Sequence, residues 1–239
     1  MESSVKSASE LAPNDNKQLN IQTSGGIYAR YPVKTPVIMA GDDLVAIFSE
    51  YVAPFLEAED MVFVSEKIVA ISQNRAFPIK DIKVSLLAKL LVPFVHKSPN
   101  GIGLGSPWTM ELAIREVGAF KIVLTAIIAG VAKLFGKRGV FYQILGSQVA
   151  AIDGPCDYTI PPFNEYAKMA PKDPDKVAGK FKESFGCPFV IIDANDLGVN
   201  VLGKSDSTLD NRLLEQIFKD NPLGQAAQQT PVAIVRKAQ

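Results

Sequence analysis

The strongest strand signal in the chain lies in Val190–Asn200, which reads VIIDANDLGVN. It opens with three consecutive apolar residues, as a buried strand does, and runs straight into Asp193, Asn195 and Asp196. Asp and Asn are common in turns after strands, and their oxygens are also ligands of hard divalent cations. The stretch therefore predicts a buried strand whose end is either a simple turn or part of a metal and phosphate site.

Helical and strand-like patterns follow one another irregularly along the rest of the chain. Runs of apolar or alternating residues predict strands, and apolar residues at helical spacing behind a capping residue predict helices. Because the two mix without strict alternation, we expect an α+β fold, with mixed sheets and flanking helices. The expected strands are Ile27–Val33, Met61–Val64, Ile68–Ile71, a short one ending at Asp153, the run from Val190, and TPVAIVRK near the end; the expected helices begin after Asp43, at Ser106 and near Pro174.

Two breaks in the pattern bear on domain organisation. Residues 1–24 contain no apolar core, so we expect a disordered tail there and not a signal peptide. Residues 25–239 are expected to form one α+β domain, with a weak sub-boundary near Asp153–Asp157, where an Asp-Gly-Pro run interrupts the pattern. A chain of 239 residues is long enough to bury a substantial core.

Composition narrows the classes of partner. The formal net charge is +0, so no global field attracts nucleic acid or an anionic membrane, and we expect neither as a partner. The apolar run Ile122–Ala132 is bounded by lysines and falls short of the ~20 residues of a membrane-spanning helix, which favours a buried strand or a core helix. Cys156 and Cys187 are the only cysteines, which fits a reducing cytoplasm better than a disulfide scaffold.

Two aspartates stand in similar local settings. Asp153 and Asp193 each directly follow an apolar run, and each precedes small or turn residues. A strand end holds a side chain rigidly, so two such carboxylates could converge on one Mg²⁺ or Mn²⁺ ion, which prefers oxygen ligands. Asn195 places another oxygen close by. The alternative is that both aspartates cap turns, as Asp does after many strands.

Two cations flank the apolar segment in SEKIVAISQNR. Lys67 precedes the segment and Arg75 follows it, so the predicted strand would mount both rigidly. A rigidly held cation is suited to stabilise the charge of a transferred phosphoryl group. The alternative is that both side chains are simply solvated, as most lysines and arginines are.

Five motifs in a fixed order carry a resemblance to a known family. They are YPVKTPVIMAGDDL, VSEKIVAISQNR, AIDGP, YTIPP with DPDKVAGKF, and VIIDANDLG. This order resembles the coenzyme F-420 gamma-glutamyl ligase family from about Tyr31 to about Gly203, with a weaker echo in NPLGQAAQQTPVAIVR. The resemblance implies an α+β ligase that works as a homodimer and uses GTP or ATP.

The resemblance also implies a reaction and a set of site residues. A carboxylate is activated as an acyl phosphate, and the amine of an amino acid, glutamate in the family, attacks it to give an amide. Divalent ions, Mg²⁺ or Mn²⁺, bridge the nucleotide phosphates. By position, the metal ligands are Asp153, Asp193 and Asn195, and the nucleotide-binding residues are Lys34, Thr35, Glu66 and Lys67. Lys67 and Arg75, which flank the apolar segment, are the cations that we expect to act in catalysis at phosphate.

Several positions depart from the family's motifs. The family's S-K-A-E-G-R reads here as Ala70–Arg75, with Ile71 in place of a lysine near phosphate and Gln73 in place of a glutamate. In the family's G-E-G-G segment, Gln225 replaces the carboxylate. Because Lys67 stands four residues before Ile71, it shares the face of Ile71 if the segment is extended, and it compensates for the missing lysine in that case.

These observations leave three hypotheses. The first is a divergent nucleotide- and metal-dependent amide ligase that acts on a carboxylate other than the family's deazaflavin. The second is a catalytically inactive protein that binds a nucleotide or another anionic metabolite on the same scaffold, which Ile71 and Gln225 favour. The third is a structural protein in which Asp153 and Asp193 cap turns.

Overall fold

A computed structural model describes residues 7–95, 103–137, 139–195, 198–224 and 227–238. The chain divides into two compact units. The first unit consists of Met1–Gln73 and Lys172–Gln239, and the second consists of Asn74–Pro171. The segment 153–157, where the sequence indicated a weak sub-boundary, lies inside the second unit.

The first unit is built on a six-stranded mixed sheet with the strand order β1-β2-β8-β3-β6-β7. Strands β3 and β6 are parallel, and all other neighbours in this sheet are antiparallel. Together with the helices of this unit, the sheet gives the α+β fold that the sequence predicts. The strands are β1 (Asn20–Thr23), β2 (Gly26–Val33), β3 (Met61–Ser65), β6 (Phe189–Asn195), β7 (Gly198–Lys204) and β8 (Val232–Lys237).

Capping residues in the sequence mark where helices of this unit begin. The Asp43 carboxylate accepts a hydrogen bond of 2.9 Å from the Val45 N–H, so the predicted helix after Asp43 is confirmed. Pro174 occupies the first turn of another helix, also as predicted. The helices of the first unit are α1 (Leu44–Tyr51), α2 (Glu66–Ser72), α8 (Pro174–Phe185) and α9 (Asn211–Phe218).

The strand predicted over Ile68–Ile71 is wrong, because these residues lie in helix α2. All four are buried, so the segment shows no polar face from which a helical period can be read. The Ser65 side chain caps the helix by accepting a hydrogen bond from the Lys67 N–H. A short apolar run of this kind fits a strand and a buried helix equally well. The Ser65 cap favours the helix.

Part of the predicted disordered tail belongs to the sheet of the first unit. Residues 20–23 form β1 and pair with β2, for example Ile21 with Tyr28. The Asn14 side chain donates hydrogen bonds of 2.8 Å to the Pro222 carbonyl and the Thr230 hydroxyl. These long-range contacts supply the order that the local composition does not reveal.

Strand β6 is buried on both faces of the sheet. On one face, the Phe189 ring packs against Phe48 of α1 and Phe181 of α8, with centroid separations of 6.4 Å and 5.2 Å. On the other face, Val190 joins a cluster that includes Phe218 of α9, whose ring stacks on Phe63 at 4.3 Å. A strand covered from both sides needs apolar residues at successive positions, which explains the three consecutive apolar residues at the start of Val190–Asn200.

The second unit is mainly helical around a separate apolar core. Its strands β4 (Ala76–Pro78) and β5 (Tyr166–Lys168) form a two-stranded antiparallel sheet. Its core includes Met110 and Leu112, both fully buried, with Ile122 and Ile152. The helices are α3 (Leu86–Leu91), α4 (Pro107–Val117), α5 (Ala119–Leu134), α6 (Val140–Leu145) and α7 (Ser147–Ala150).

Two predictions about this unit are corrected and one is confirmed. The helix predicted from Ser106 is confirmed, because Ser106 caps α4 and forms a capping box with Thr109. The short strand predicted to end at Asp153 is instead the helix α7 followed by an isolated bridge at Asp153. The apolar run 122–132 lies in helix α5, but much of that helix is exposed, in contrast to the predicted core position.

Candidate functional site

The carboxyl ends of three strands of the first unit meet at one edge of its sheet. Strand β8 is antiparallel to both β2 and β3, with Val232 opposite Val33 on one side and opposite Val64 on the other. Strand β3 is parallel to β6, with Ser65 paired to Ile192. Strands β2, β3 and β6 therefore run in the same direction and end together. We call this edge the strand-end edge; its residues are Lys34, Thr35, Glu66, Lys67, Asp193 and Asn195.

Residues from three separate sequence motifs thus lie at the strand-end edge. Lys34 and Thr35 follow β2, Glu66 and Lys67 follow β3, and Asp193 begins the last part of β6. Carboxyl ends of parallel strands in α/β sheets are a common place for ligands to bind. The strand order therefore brings together all four predicted nucleotide-binding residues and two of the three predicted metal ligands.

The loop after β2 is held by hydrogen bonds from the segment before β8. Thr35 is buried, and its N–H donates to the Gln229 carbonyl at 3.3 Å. The Gln229 side chain returns a hydrogen bond of 2.9 Å to the Thr35 carbonyl. Lys34 is exposed beside this fixed loop. The sequence gives no signal for Gln229, which positions Thr35 across 194 residues of chain.

Helix α2 mounts Glu66 and Lys67 directly at the end of β3. Glu66 is 1% exposed and stands in the first turn, where the helix dipole favours a carboxylate. Lys67 and Ile71 are four residues apart, so they share a face of the helix as they would share a face of a strand. Ile71 is buried and Lys67 is only partly buried, so Lys67 is the residue of the two that reaches the protein surface.

Asp193 and Asn195 close strand β6 before the turn to β7. Asp193 is paired with Asn200, and Asn195 with Gly198. Ala194, between them, packs into the cluster of Phe218. Because side chains alternate along a strand, Asp193 and Asn195 both point to the opposite face, and both are partly exposed there. Asp196 lies outside the described residues.

Asp153 lies in the second unit, opposite Lys168 in an isolated antiparallel bridge. The two residues exchange backbone hydrogen bonds of 3.1 Å and 2.9 Å, so their side chains are neighbours on one face of the bridge. The Asp153 carboxylate accepts a hydrogen bond of 2.9 Å from the Gly154 N–H. The expectation that Asp153 and Asp193 share one cation stays a prediction, because each lies in a different unit.

Lys168 is a charged residue that the sequence patterns do not single out. It is 8% exposed, and its Nζ donates a hydrogen bond of 2.9 Å to the Ala151 carbonyl. Opposite charges at directly paired positions stabilise an antiparallel bridge. Lys168 is therefore placed to hold the segment that carries Asp153, and its pairing with Asp153 is visible only in the folded chain.

Arg75 is bonded inside the second unit. Its residue is 7% exposed, its Nε donates to the Ala170 carbonyl, and its Nη2 forms an ion pair of 2.8 Å with Glu116. These bonds tie the start of β4 to α4 and to the segment after β5. These bonds engage the guanidinium within the second unit, and its expected role at phosphate stays a prediction.

The donor chemistry at the end of β6 suits a hard cation. Asp193 and Asn195 offer carboxylate and amide oxygens, which are the ligands that Mg²⁺ and Mn²⁺ prefer, and Asp153 offers a carboxylate within the second unit. Within the described ranges, no three His, Cys, Asp or Glu side chains lie together as a metal-binding group. Burial raises the pKa of the Cys187 thiol to about 11, so this thiol stays protonated at neutral pH and is a poor metal ligand.

The fold is of the α+β class, and its strand-end edge collects cations, carboxylates and an amide. The model of the family described as F420-0:Gamma-glutamyl ligase matches residues 32–193, which is more than half of the chain. The chain belongs to this family, and the predicted resemblance is confirmed. The matched range runs from Pro32, near the end of β2, to Asp193 of β6. Among curated proteins, none matches this chain.

Proposed function

We propose that the protein is a nucleotide- and divalent-metal-dependent ligase that joins a small-molecule carboxylate to an amino acid, glutamate, through an amide bond. Family membership supports a ligase-like function. The observation that carries the finer proposal is the strand-end edge, where motifs separated by up to ~160 residues supply cations, carboxylates and an amide to one side of the sheet. Altered motifs around Ile71 favour a carboxylate substrate other than the family's deazaflavin.

The proposed reaction proceeds in two steps. In the first step, a carboxylate oxygen of the substrate forms a bond to the γ-phosphorus of GTP or ATP, and the bond to the bridging oxygen breaks to release the nucleoside diphosphate. In the second step, the amino group of glutamate attacks the acyl carbon, the bond to phosphate breaks, and the nitrogen loses a proton. The products are an amide, a nucleoside diphosphate and inorganic phosphate.

Each strand end has a distinct role in this proposal. Lys67, mounted on α2, stabilises the charge of the transferred phosphoryl group by electrostatic attraction. Lys34 and Thr35 contact the nucleotide from the loop that Gln229 holds in place. Asp153, Asp193 and Asn195 are the residues that would hold Mg²⁺ or Mn²⁺. When bound, the ion neutralises phosphate charge.

A second function is favoured by one specific position. Ile71 is buried where the family places a lysine, so the phosphate site lacks a cation from that position. Loss of a fixed cation at a transferring phosphoryl group costs orders of magnitude in rate. The alternative is therefore a protein that binds a nucleotide or related metabolite without turnover. Gln225, the other departure from the family, lies outside the described residues.

Phosphate release tests the ligase directly. The assay contains GTP or ATP, Mg²⁺ or Mn²⁺, glutamate and a panel of carboxylic acids, with amide formation followed by mass spectrometry. We expect Asp193→Asn to lower kcat by about a hundredfold or more, because one of the charges that hold the ion is lost. The matched control is Glu183→Gln, an exposed carboxylate on α8, which we expect to leave kcat unchanged.

Three results separate the hypotheses. Turnover that requires the metal ion and is abolished in Asp193→Asn supports the ligase. Saturable nucleotide binding with no product for any acid supports the inactive binder. If neither Mn²⁺ nor nucleotide raises the thermal unfolding temperature, neither binds the native state, and the strand-end carboxylates are turn caps.

Two further expectations accompany the proposal. The family resemblance implies a homodimer, which light scattering on a gel-filtration column measures. Free Cys156 and Cys187 in the described chain are compatible with a reducing cytoplasm, where nucleotide-dependent ligases find their substrates. Localisation of a tagged protein by cell fractionation checks the compartment.

A further inference from the structure

Helix α5 of the second unit turns an apolar face to solvent. Its outermost side chains, Phe120 and Leu134, are 82% and 85% exposed, and Phe135 at its C-cap is 79% exposed. Between them lie partly exposed aliphatic side chains at spacings of three and four residues. We call this set the α5 apolar face; its members are Phe120, Leu124, Ile127, Ile128, Val131, Leu134 and Phe135.

The α5 apolar face is one continuous stripe. An α-helix advances about 100° per residue, which places all seven members within an arc of about 120°. Ile122 and Thr125, on the opposite side, are buried, and Ile122 belongs to the core of the second unit. The stripe exposes apolar area on the order of several hundred Å², which is large for a surface without a partner.

The sequence around the α5 apolar face is basic. Residues 117–152 contain Lys121, Lys133, Lys137 and Arg138 and no Asp or Glu. The three lysines are exposed. The neighbouring helix α4 carries two carboxylates, but Glu111 is paired with Arg115 and Glu116 with Arg75. The local charge is therefore positive, although the net charge of the whole chain is zero.

Helix α5 is too short to cross a bilayer, so on a membrane it would lie along the surface. Sixteen residues give α5 a length of about 24 Å, below the ~30 Å of a hydrocarbon core. No single helix in the described part of the chain is long and apolar enough to span a membrane, and the one pair that passes by length and composition, α4 with α5, is bent by 113°. Helix α4 cannot form a membrane span with α5, because Met110, Leu112 and Ala113 of α4 are buried in the core.

We propose that the α5 apolar face docks on an anionic lipid bilayer, with its aromatic and aliphatic side chains at the headgroup–acyl boundary and with Lys121, at the border of the face, and Lys137, just after the helix, against lipid phosphates. Helices that bind in the membrane interface combine exposed Phe and Leu side chains with nearby lysines, as α5 does. Juxtaposed basic residues strengthen such binding to anionic lipid. A second copy of the same face would instead bring the cations that border the face, Lys121 and Lys137, close to the same cations of the other copy.

This inference concerns the second unit and does not depend on the ligase reaction. The absence of a membrane partner, expected from the sequence, rested on the net charge of the whole chain. Binding at an interface depends on the charge within about one Debye length, roughly 8–10 Å, so the local count around α5 decides.

Vesicle flotation of the full-length protein tests the proposal. The vesicles are pure phosphatidylcholine, or phosphatidylcholine with about one-third phosphatidylglycerol. We expect the wild-type protein to float with the anionic vesicles and to bind the neutral vesicles at least tenfold more weakly. High salt should reverse much of the binding to anionic vesicles, because it screens the lysines. This salt titration needs no variant.

Two variants assign the binding to the α5 apolar face. Phe120→Gln/Leu134→Gln/Phe135→Gln removes its most exposed members, and Lys121→Gln/Lys137→Gln removes the exposed charges that border it; each should weaken binding by tenfold or more. Because these side chains are exposed, circular dichroism should show an unchanged fold. The control is Ile27→Thr/Met39→Gln, which replaces apolar residues of the first unit that are 44% exposed and should bind as the wild type does.

Three outcomes would overturn the proposal. The first is no flotation of the wild-type protein with anionic vesicles. The second is flotation that the glutamine variants leave unchanged. The third is a wild-type dimer that does not float and that Phe120→Gln/Leu134→Gln/Phe135→Gln converts to a monomer in sedimentation velocity, which would assign the face to a second copy of the chain. Phosphate release measured on the same samples reports the proposed function separately.

Discussion

The first unit covers its apolar surface with its own chain, whereas the second unit leaves much of its apolar surface in solvent. Among the described residues, the large apolar side chains that are exposed in the first unit are Ile27 and Met39. In the second unit they are Leu86, Leu90, Phe94, Phe120, Leu124, Ile127, Ile128, Val131, Leu134, Phe135, Ile144 and Tyr158. The difference shows that an apolar segment is buried only where other parts of the fold pack against it, as they do around β6 and do not around much of α5.

The two units also place their polar groups differently. The first unit collects charged and amide side chains at the ends of parallel strands, where the backbone holds them rigidly. In the second unit, Arg75 is paired with Glu116, and lysines lie within α5 and just after it. A rigid polar edge suits the positioning of a small substrate, and an exposed apolar stripe with basic neighbours suits an extended surface.

One phenylalanine from each unit tests this difference in burial. Phe189 is fully buried between two helices and the sheet of the first unit, so Phe189→Ala should lower the free energy of unfolding by about 3–5 kcal/mol. Phe120 is 82% exposed, so Phe120→Ala should change it by less than about 0.5 kcal/mol. Urea unfolding followed by circular dichroism measures both. Similar losses for the two variants would show that α5 is covered in solution.

A buried cation tests whether the first unit depends on internal ion pairing. Arg30 is 1% exposed, pairs with Asp220, and donates a hydrogen bond of 3.0 Å to the Ile217 carbonyl. Asp220→Asn would leave this cation without its carboxylate, and we expect a loss of about 2–3 kcal/mol in the free energy of unfolding at neutral pH, below the usual range for a fully buried pair because Asp220 is partly exposed.

The same pair predicts a pH dependence. Burial acts to raise the pKa of Asp220, but hydrogen bonding to Arg30 and its charge outweigh burial and hold the pKa below its ordinary value. A depressed pKa stabilises the folded state fully above the unfolded pKa, about 3.9, and this contribution is lost as pH falls through the folded pKa. The stability difference between the wild type and Asp220→Asn should therefore shrink in acid. A difference that is constant between pH 7 and pH 2 would contradict the ion-pair account.

Two glycines of the first unit test how closely its layers pack. A Cβ on Gly203 of β7 would lie 2.4 Å from the Pro174 carbonyl carbon and 2.7 Å from the Asp175 nitrogen, both backbone atoms of α8. Gly203→Ala should therefore cost about 1–3 kcal/mol. Gly179, within α8, has open space around its Cβ position, so Gly179→Ala should stabilise by up to about 1 kcal/mol. Thermal unfolding of both variants checks the opposite signs.

The elements that sequence reasoning placed well have local causes. The helix after Asp43 and the helix from Ser106 begin at side-chain caps, which depend on residues within one turn. The helix of Ile68–Ile71 was missed because four successive buried residues carry no period. Helix α5 was expected in the core because an apolar composition shows what a surface prefers but not whether the fold covers it.

The candidate site was predicted residue by residue, but its geometry was not. The motifs pointed to Thr35, Lys67 and Asp193 as separate candidates, and no local pattern contains the strand order that brings their strand ends together. Gln229 and Lys168 escaped notice because their partners, Thr35 and Asp153, are distant along the chain. Arg75 was expected at phosphate, and its ion pair with Glu116 depends on the packing of α4.

Residue types within short windows were enough to predict the family, the α+β class, the helices that begin after Asp43, at Ser106 and near Pro174, and the buried strand that opens at Val190. Tertiary structure alone decided which strand ends adjoin, which cations are neutralised, and which apolar face stays in solvent. Strand register and burial are set by contacts between residues far apart in the chain, and the free energy of those contacts has no counterpart in any local pattern.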